Sequence, residues 1–292
     1  MTTTDRAKRD LDDFLRTNEG QEVSNTGFAI NESNIINVLV VGRSQTGKTT
    51  LIKSLINTIH ASYVTGFSDT RNVTHHPIIV RDKITDRYYQ INMIDTIGLD
   101  ERSQDPNNNR SNEEILTLAA KFIAKEITTL NAVIFVSKVG ELHQHDISTF
   151  KLLINFLGPS FEANAMMVVT HCDGLTKERF NVLADGIRTH SLSKEISDYC
   201  TLGILPHGTL NFDQLETFTG EEEMEMRKYI IKKKLQMITP MRKDILQLLI
   251  AQHGKQQPVQ QLQEIVEMAN KERMRFLEDE IKKRNQGKCI IS

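Results

Sequence analysis

Short apolar segments alternate with amphipathic segments along the middle of the chain. The apolar segments are nearly continuous, as is typical of strands buried in a parallel sheet, and they span Ile35–Val41, Ile91–Ile94, Ala132–Val136 and Met166–Val169. The amphipathic segments have the apolar spacing of helices, and they span Lys48–Ile59, Asn112–Ile127, Ile147–Leu157 and Lys177–Thr189. Pro77–Arg81 predicts an edge strand, because its proline stands at the start. The alternation predicts an α/β fold with a mostly parallel sheet flanked by helices.

The two ends of the chain have different patterns. Residues 1–33 are polar, with one weak amphipathic patch around Leu11 that predicts a short helix followed by a linker. Beyond about Phe218 no strand pattern remains, and helices are predicted over Glu221–Ile238, Arg242–His253 and Val259–Lys283. The last of these carries an apolar stripe, which fits either packing against the domain or a short coiled coil with a partner helix. The sequence therefore predicts an α-helical C-terminal extension.

Composition adds a few constraints to this picture. The chain has 292 residues and a formal net charge of −2, so no strong positive field indicates a nucleic-acid partner. Its three cysteines are too few and too scattered for a disulfide framework or a zinc site, which favours a reducing compartment. No apolar run is long enough to cross a bilayer, and the first residues lack the apolar stretch of a signal peptide. We therefore expect a cytoplasmic protein.

The segment between the first strand and the first helix fits the pattern G-x-x-x-x-G-K-[ST]. Such a loop binds phosphates, because its glycines let backbone N–H groups and the helix N-terminus converge on them. Lys48 is expected to reach the β- and γ-phosphates, and Thr49 is expected to bind Mg²⁺. The predicted nucleotide-binding residues of this loop are Gly42, Arg43, Ser44, Gln45, Thr46, Gly47, Lys48, Thr49 and Thr50. The loop by itself does not distinguish ATP from GTP.

A second apolar strand ends in the pattern D-x-x-G at Asp95 and Gly98. An aspartate at such a strand end can hold Mg²⁺ through water, and a glycine can bring its backbone N–H close to the γ-phosphate. Thr74, in the polar stretch Asp69–His76, is the candidate to close over Mg²⁺ and the γ-phosphate, although it also fits a plain surface threonine. Thr74 and Gly98 are thus the predicted catalytic residues. The predicted metal residues are Thr49, Thr74 and Asp95.

A further strand leads into Thr170, His171 and Asp173. A carboxylate just past a sheet strand can accept hydrogen bonds from guanine N1–H and the exocyclic amine, a pair of donors that adenine lacks on that edge. The ring of His171 can cover the base. Asp173 also fits an ordinary turn residue, because a glycine follows it. The segment predicts that the ligand is GTP or GDP, with ATP as the less favoured alternative.

These motifs together resemble the immunity-associated GTPases, also called the GIMAP family. The resemblance rests on Gly42–Thr50, Phe67–Thr74, Asp95–Leu99, Thr170–Leu175 and the block Asn131–Gly158, and it covers roughly residues 35 to 238. Septins and chloroplast Toc GTPases are similar at a greater distance. The resemblance implies a G domain that binds GTP and GDP with Mg²⁺ and often dimerises across its nucleotide face. It also implies a helical extension that differs between members.

Two positions depart from this family in ways that bear on hydrolysis. Members commonly have an arginine that assists hydrolysis across a dimer, whereas Glu141 follows Gly140 here, and a carboxylate cannot stabilise a negative transition state. Leu99 follows Gly98, so no glutamine is placed there to orient water. We therefore expect hydrolysis to be slow, or to depend on another group. Weak candidates for that group are Arg102, Lys138 and His143.

A third departure concerns the second contact to the base. Family members usually offer an asparagine in this segment, whereas this chain has Leu205–Gly208. The expected contacts are therefore His207 or a backbone N–H, with Gly208 included in the predicted site. The segment His143–Asp146 contains two histidines, but a solvated loop before a helix fits it better than a metal site, since no further ligand is clearly placed.

The chain ends in the pattern C-a-a-X, with Cys289 followed by two isoleucines and a serine. This pattern predicts farnesylation of Cys289, although a chance cysteine near the end is the alternative. A single lipid gives marginal anchoring, and a basic cluster supplies a second signal; the basic residues nearby are Lys282, Lys283, Arg284 and Lys288. We therefore expect a peripheral protein of a cytosolic membrane surface.

The sequence thus predicts four parts: the polar segment 1–33, a GTP-binding G domain at 34–240, a helical extension at 241–286 and a prenylation tail at 287–292. One fitting function is a switch whose loops at Thr74 and Gly98 are ordered by GTP and released by hydrolysis. The other is a nucleotide-gated, dimerising membrane scaffold with negligible turnover. Glu141 favours the scaffold, whereas the intact Lys48 and Asp95 favour the switch.

Overall fold

The computed structural model describes residues 34–57, 59–62, 70, 72–99, 111–126, 129–140, 142, 144–211 and 221–258. The predicted N-terminal helix, the predicted helix Val259–Lys283 and the predicted lipidation site Cys289 lie outside these residues. Arg102, Glu141 and His143 also lie outside them.

The described chain alternates strands and helices, as predicted. The strands are β1 (Asn34–Gly42), β2 (Ala61–Ser62), β3 (Thr74–Asp82), β4 (Arg87–Asp95), β5 (Thr129–Leu130), β6 (Ala132–Lys138), β7 (Ala165–Thr170), β8 (Ile204–Pro206), β9 (Leu210–Asn211) and β10 (Gln257–Pro258). The helices are α1 (Lys48–Ile56), α2 (Asn112–Glu126), α3 (Gln144–Leu157), α4 (Lys177–Thr189), α5 (Lys194–Tyr199) and α6 (Glu221–Ile250). A 3₁₀ helix spans Pro159–Asn164.

Six of these strands form one sheet in the order β3-β4-β1-β6-β7-β8. The pairs β1–β6, β6–β7 and β7–β8 are parallel, whereas β3 and β4 are antiparallel. Two small sheets join β2 to β9 and β5 to β10. The predicted architecture, a mostly parallel sheet flanked by helices, is confirmed. The carboxyl ends of its central strands carry the motifs found in the sequence.

Helices cover both faces of the sheet, which explains why its strands are almost wholly apolar. Alternate residues of β1 point to opposite faces, so that Leu39 belongs to one apolar cluster and Val40 to the other. The first cluster also contains Phe150 of α3, and the second contains Leu51 of α1. Each of these side chains is at most 1% exposed. The sheet therefore has no solvated face along its centre.

The edge strand β3 is longer than predicted, since it begins at Thr74 rather than at Pro77. Proline is tolerated there because only one side of an edge strand needs its N–H groups for pairing. Ile79 is 74% exposed, which agrees with a position at the edge of the sheet.

Helix α6 is continuous, which corrects the prediction of two separate helices over its length. It contains Pro240 at a position where a break was expected. Tertiary contacts hold both sides of the proline: Ile238 packs against Leu210 of β9, and Ile245 is fully buried against the sheet. Arg242 also donates a hydrogen bond to Leu55 O at the end of α1, at 2.5 Å. The helix therefore crosses the predicted boundary at residue 240.

Buried asparagines fix the segment that follows α6. Asn131 donates through Nδ2 to Gln252 O at 3.1 Å, and Asn164 donates to Lys255 O at 3.0 Å. Asn164 also donates to Asn131 O, and the Asn37 N–H donates to Asn131 Oδ1. These bonds tie residues 252–255 to the positions directly before β6 and β7, and the chain then pairs with β5. Among the described residues, no helix has the length and apolarity required to cross a bilayer.

Candidate nucleotide-binding site

The phosphate-binding loop joins the end of β1 to the start of α1. Gly42 and Gly47 have φ angles of 154° and 89°, in a region that residues with a side chain rarely adopt. A Cβ at Gly42 would lie 2.4 Å from Val136 O, so a larger residue there would displace the neighbouring strand. Ser44, Gln45 and Thr46 complete the turn into the N-terminus of α1. Such a helix N-terminus is suited to bind phosphate.

Lys48 lies in this loop with its ammonium group held by the backbone. Its Nζ donates to Arg43 O at 2.8 Å and to Gly42 O at 3.2 Å. The side chain is buried, and burial lowers the pKa of Lys48 to about 8, while the charge of Asp95 acts in the opposite direction. Thr50 follows in the first turn of α1. A phosphate in the loop would supply a negative partner for the buried ammonium group of Lys48, which burial otherwise disfavours.

Thr49 and Asp95 meet at the candidate metal site. The Thr49 hydroxyl donates to Asp95 Oδ2 at 2.5 Å, and its oxygen lies 2.8 Å from the hydroxyl of Thr70. Because Thr49 gives its only hydroxyl hydrogen to Asp95, Thr70 is the donor in the second bond. Burial raises the pKa of Asp95, partly offset by the Thr49 hydrogen bond and the charge of Lys48.

The chemistry of this donor set fits Mg²⁺, a hard cation that prefers oxygen ligands and keeps several waters. Asp95 Oδ1 is buried and has no hydrogen-bond partner among the described residues, which leaves a lone-pair position for a cation or its water. Within the described ranges, no group of three or more His, Cys, Asp or Glu side chains is placed to hold a metal. The pair of oxygens from Thr49 and Asp95 is suited to a cation that water and phosphate complete.

Thr74 is not the threonine in contact with this pair. Its hydroxyl lies 3.0 Å from His76 Nε2, and it is exposed at the start of β3, although it is the strand partner of Asp95. Thr70, four residues upstream, makes the contact to Thr49 instead. Sequence reasoning missed Thr70 because both threonines lie in the same polar stretch, and nothing in their spacing ranks them.

Gly98 brings the D-x-x-G segment directly against the phosphate-binding loop. A Cβ at Gly98 would lie 2.4 Å from Ser44 Cα and 3.0 Å from Lys48 Nζ. The next residue continues the contact, because the Ser44 N–H donates to Leu99 O at 2.8 Å and the Leu99 N–H donates to Gly42 O at 3.2 Å. Glycine is therefore required here by its close approach to the loop backbone, while the approach of its N–H to a γ-phosphate stays a prediction.

Thr170 connects the candidate base-binding segment to the same loop. Its buried hydroxyl lies 2.6 Å from Thr46 O and 3.1 Å from Ser137 O, and it shares its single hydrogen between these two carbonyls. His171 has a φ of 61°, and its Nδ1 lies 3.0 Å from the Thr170 hydroxyl. Since Thr170 uses its hydrogen on a carbonyl, His171 Nδ1 is the donor to Thr170. Burial, followed by the charge of Lys138, lowers the pKa of His171, which favours the neutral ring.

Asp173 lies at the end of this segment with its side chain 25% exposed. Lys234 of α6 donates from Nζ to Asp173 Oδ2 at 3.3 Å. Gly208 packs against its other side, where a Cβ would lie 2.8 Å from Asp173 Cα. Gly208 thus lies against the backbone of Asp173, and the ion pair with Lys234 was not predicted. No local sequence signal points to it, since it lies 61 residues away.

His207 has a packing role, which corrects the prediction that its side chain contacts the base. It is 2% exposed, and its Nε2 lies 2.7 Å from the hydroxyl of Ser54 on α1. Ser54 donates to Leu51 O, so the His207 ring donates to Ser54. Burial lowers the pKa of His207 to about 4. Its backbone N–H donates to Val169 O, so this group is also used within the sheet.

The side chain of Arg43 contacts α3, where its guanidinium donates from Nη1 to Asp146 Oδ1 at 2.8 Å. Its place in the predicted nucleotide-binding set therefore rests on its backbone. Asp146, predicted in a loop, lies in the first turn of α3.

Residues 37–171 match the model of a family described as 50S ribosome-binding GTPase. This part of the chain is a GTP-binding GTPase domain. The match covers most of β1, the phosphate-binding loop, the D-x-x-G segment and the start of the base-binding segment. No curated protein sequence matches the chain.

Several solved structures are similar to the chain at low identity. Toc33 from Arabidopsis thaliana in complex with GDP and Mg²⁺ has 20% identity and a TM-score of 0.40, with 66% of this chain and 76% of that chain covered. A structure of the chloroplast translocon components atToc33 and psToc159, for which dimerization is described as important for GTPase activity, has 20% identity and a TM-score of 0.44. The similarity covers 61% of this chain and 71% of that chain. A septin GTPase domain from Chlamydomonas reinhardtii has 22% identity and a TM-score of 0.38, with 55% of this chain and 62% of that chain covered.

Proposed function

We propose that this chain is a guanine-nucleotide switch of the immunity-associated type, which binds GTP and GDP with Mg²⁺ and hydrolyses GTP slowly on a cytosolic membrane surface. The observation that carries the proposal is the meeting of three segments at the phosphate-binding loop. Thr49 contacts both Asp95 and Thr70, and Gly98 lies against Ser44. A γ-phosphate and Mg²⁺ at this point would touch all three segments, which is the arrangement that a nucleotide switch requires.

The residues of the loop divide the work of binding between charge and oxygen ligands. Bound Mg²⁺ supplies charge neutralisation to the β- and γ-phosphates. Thr49 and Asp95 would hold it, since their oxygens already meet and Asp95 Oδ1 is unpartnered among the described residues. Lys48 would exchange its two loop carbonyls for phosphate oxygens, with which a charge-assisted hydrogen bond is stronger.

Guanine selection is assigned to Asp173. Its carboxylate is partly exposed just beyond β7, while Thr170 ties the same segment to Thr46 of the phosphate-binding loop. A base that reaches Asp173 would therefore be linked to phosphates in the loop through one rigid strand end. Adenine would leave the carboxylate without its two donors, which is costly in a partly buried site.

Slow hydrolysis is supported by the residue that follows Gly98. Leu99 is 2% exposed and belongs to the apolar core, and its side chain has no group that can orient water. The same observation favours the second candidate function, a nucleotide-gated dimerising scaffold with negligible turnover. Both functions include a GTP-dependent homodimer and a lipid on Cys289, which remain proposals from the sequence and its family resemblance.

The experiment that tests the proposal begins with binding of GTP, GDP and ATP by the full chain with Mg²⁺, with Lys48→Ala as the control. We expect tight GTP and GDP binding, weak ATP binding, and loss of binding in the variant. GTP turnover is then measured over a wide range of protein concentration. A low rate per molecule that rises with concentration supports a dimer-assisted switch, whereas negligible turnover at every concentration supports the scaffold. Equal binding of ATP would contradict the guanine assignment.

The membrane part of the proposal needs a separate measurement. The prenylated chain, produced in a eukaryotic cell, is mixed with vesicles containing anionic lipid, and the floating fraction is measured beside that of Cys289→Ser. We expect the variant to remain with the soluble fraction, because a basic cluster without a lipid binds weakly at physiological salt. Equal flotation of both proteins would contradict anchoring through Cys289.

A further inference from the structure

Lys234 of α6 reaches the carboxylate of Asp173, the proposed guanine-binding residue, from outside the segments predicted to contact the base. Its Nζ donates to Asp173 Oδ2 at 3.3 Å, and the two side chains are only 20% and 25% exposed. The contact joins residues 61 positions apart, so it depends on the docking of α6 rather than on a local turn. A partly buried ion pair is less screened than a surface pair, which gives it more influence on orientation.

The packing of α6 holds Lys234 in this place. Ile231, Leu235 and Ile238 pack in one apolar cluster with Leu210 of β9. Helical spacing puts Lys234 on the same side of α6 as these three residues. The packing of this helix face therefore places Lys234 beside Asp173 and restricts its side chain.

The backbone of Asp173 is fixed independently by the loop after β8. The Cys172 N–H donates to His207 O at 2.9 Å, and a Cβ at Gly208 would lie 2.8 Å from Asp173 Cα. This loop defines where Asp173 stands, but no hydrogen bond from it is directed to the carboxylate among the described residues. Lys234 makes the described ion pair with that carboxylate. Lys234 is thus placed to set the rotation of the two carboxylate oxygens.

Guanine and Lys234 can share this carboxylate. An ionised carboxylate offers about four lone-pair positions on its two oxygens, and the ammonium group takes one of them on Oδ2. One position on each oxygen remains for guanine N1–H and the 2-amine, which need both oxygens in the plane of the base.

We propose that Lys234 is a positioning residue for guanine specificity, which turns the Asp173 carboxylate so that both of its oxygens face the base. This inference rests on the proposed function, because it needs Asp173 to bind guanine. It makes α6 part of the nucleotide-selecting apparatus. The base that distinguishes this role is hypoxanthine, which keeps N1–H but lacks the 2-amine, so the preference for GDP over IDP reports the second oxygen contact.

The test measures GDP and IDP affinity by calorimetry for the full chain and its Lys234→Met variant. One hydrogen bond of typical net strength corresponds to about fivefold in affinity. We expect Lys234→Met to lower GDP affinity by about this factor and to lower IDP affinity less, so that the preference for GDP falls. Lys234→Arg keeps the charge and donors, and we expect it to retain most of the preference.

Two controls separate this role from general effects. Lys232 is exposed on the same helix, so Lys232→Met removes the same charge, and it is expected to leave the preference unchanged. Urea unfolding of Lys234→Met checks that the domain remains folded. An unchanged or higher GDP affinity in that variant, or an equal loss for GDP and IDP, would overturn the inference. Failure of the unaltered chain to prefer GDP over ADP would instead contradict the proposed guanine site.

Discussion

The hydroxyl of Thr170 is the point at which the base-binding segment and the phosphate-binding loop are joined, and Thr170→Val removes it with little change of shape. The hydroxyl lies 2.6 Å from Thr46 O and 3.1 Å from Ser137 O, and the residue is 3% exposed. Valine leaves a buried carbonyl of the loop without this donor. Such a loss costs about 1–3 kcal/mol, and we expect the free energy of unfolding to fall by that amount.

The same substitution should weaken nucleotide binding. Thr46 is part of the candidate phosphate-binding loop, and we expect its freed carbonyl to let the loop relax away from the arrangement that a nucleotide needs. We expect GDP affinity to fall about fivefold, which is the effect of about 1 kcal/mol. Urea unfolding with and without Mg²⁺–GDP measures both quantities on one protein. Calorimetry with GDP gives the affinity directly.

Thr170→Ser provides the matched control, because it keeps the hydroxyl and loses only the methyl group. That methyl lies 3.5 Å from the position of a Cβ on Gly47, so its loss leaves a small gap beside the loop. We expect Thr170→Ser to retain most of the affinity for GDP. If Thr170→Val has the same free energy of unfolding and the same GDP affinity as Thr170→Ser, the hydroxyl does not join the two segments in the way the structure indicates.

Three further outcomes follow from the site. Thr70→Ala should raise the Mg²⁺ concentration needed for half-maximal GDP retention about tenfold, while Thr74→Ala changes it little; the reverse result would restore Thr74 to the metal site. Gly98→Ala should lower the free energy of unfolding by about 1–3 kcal/mol, because its Cβ would meet the Ser44 backbone, and an equally stable variant in urea would contradict that contact. Folding lowers the pKa of His207 from 6.5 to about 4. The contribution of the neutral His207 ring to the free energy of unfolding is therefore present above pH 6.5. It is lost as pH falls, because the unfolded chain binds the proton more tightly than the folded chain. Between pH 7 and pH 5 this costs about 2 kcal/mol, and urea titrations should show that His207→Gln lacks this part of the loss.

The sequence was sufficient for those parts of the site that are set by local backbone. The spacing of Gly42, Gly47 and Lys48 determines a loop between a strand and a helix, and the structure has that loop. Gly98 was predicted because a glycine lets its backbone N–H approach a phosphate, and in the structure its backbone lies against that of Ser44. The parallel sheet followed from four apolar runs, each long enough for a strand and each buried on both faces.

The parts that sequence reasoning missed depend on tertiary packing. His207 was expected at the base because of its position after β8, but the sequence does not say that Ser54 would take its ring nitrogen. Pro240 was expected to end a helix, whereas burial of Ile238 and Ile245 on either side outweighs the loss of one hydrogen bond. The contact of Lys234 with Asp173 was not predicted, because it depends on the docking of α6 against the domain.

The asparagine contacts after α6 have a mechanical consequence. Tension on the chain beyond residue 258 would first meet the β5–β10 pairing, and then the bonds of Asn131 and Asn164 to Gln252 O and Lys255 O. Asn131 and Asn164 are buried and directly precede the central strands β6 and β7, so the pull is passed to the starts of these strands. Because these bonds lie between α6 and the C-terminal end, they carry the force before it reaches α6. The docking of α6 at the candidate nucleotide site is therefore protected from tension at that end.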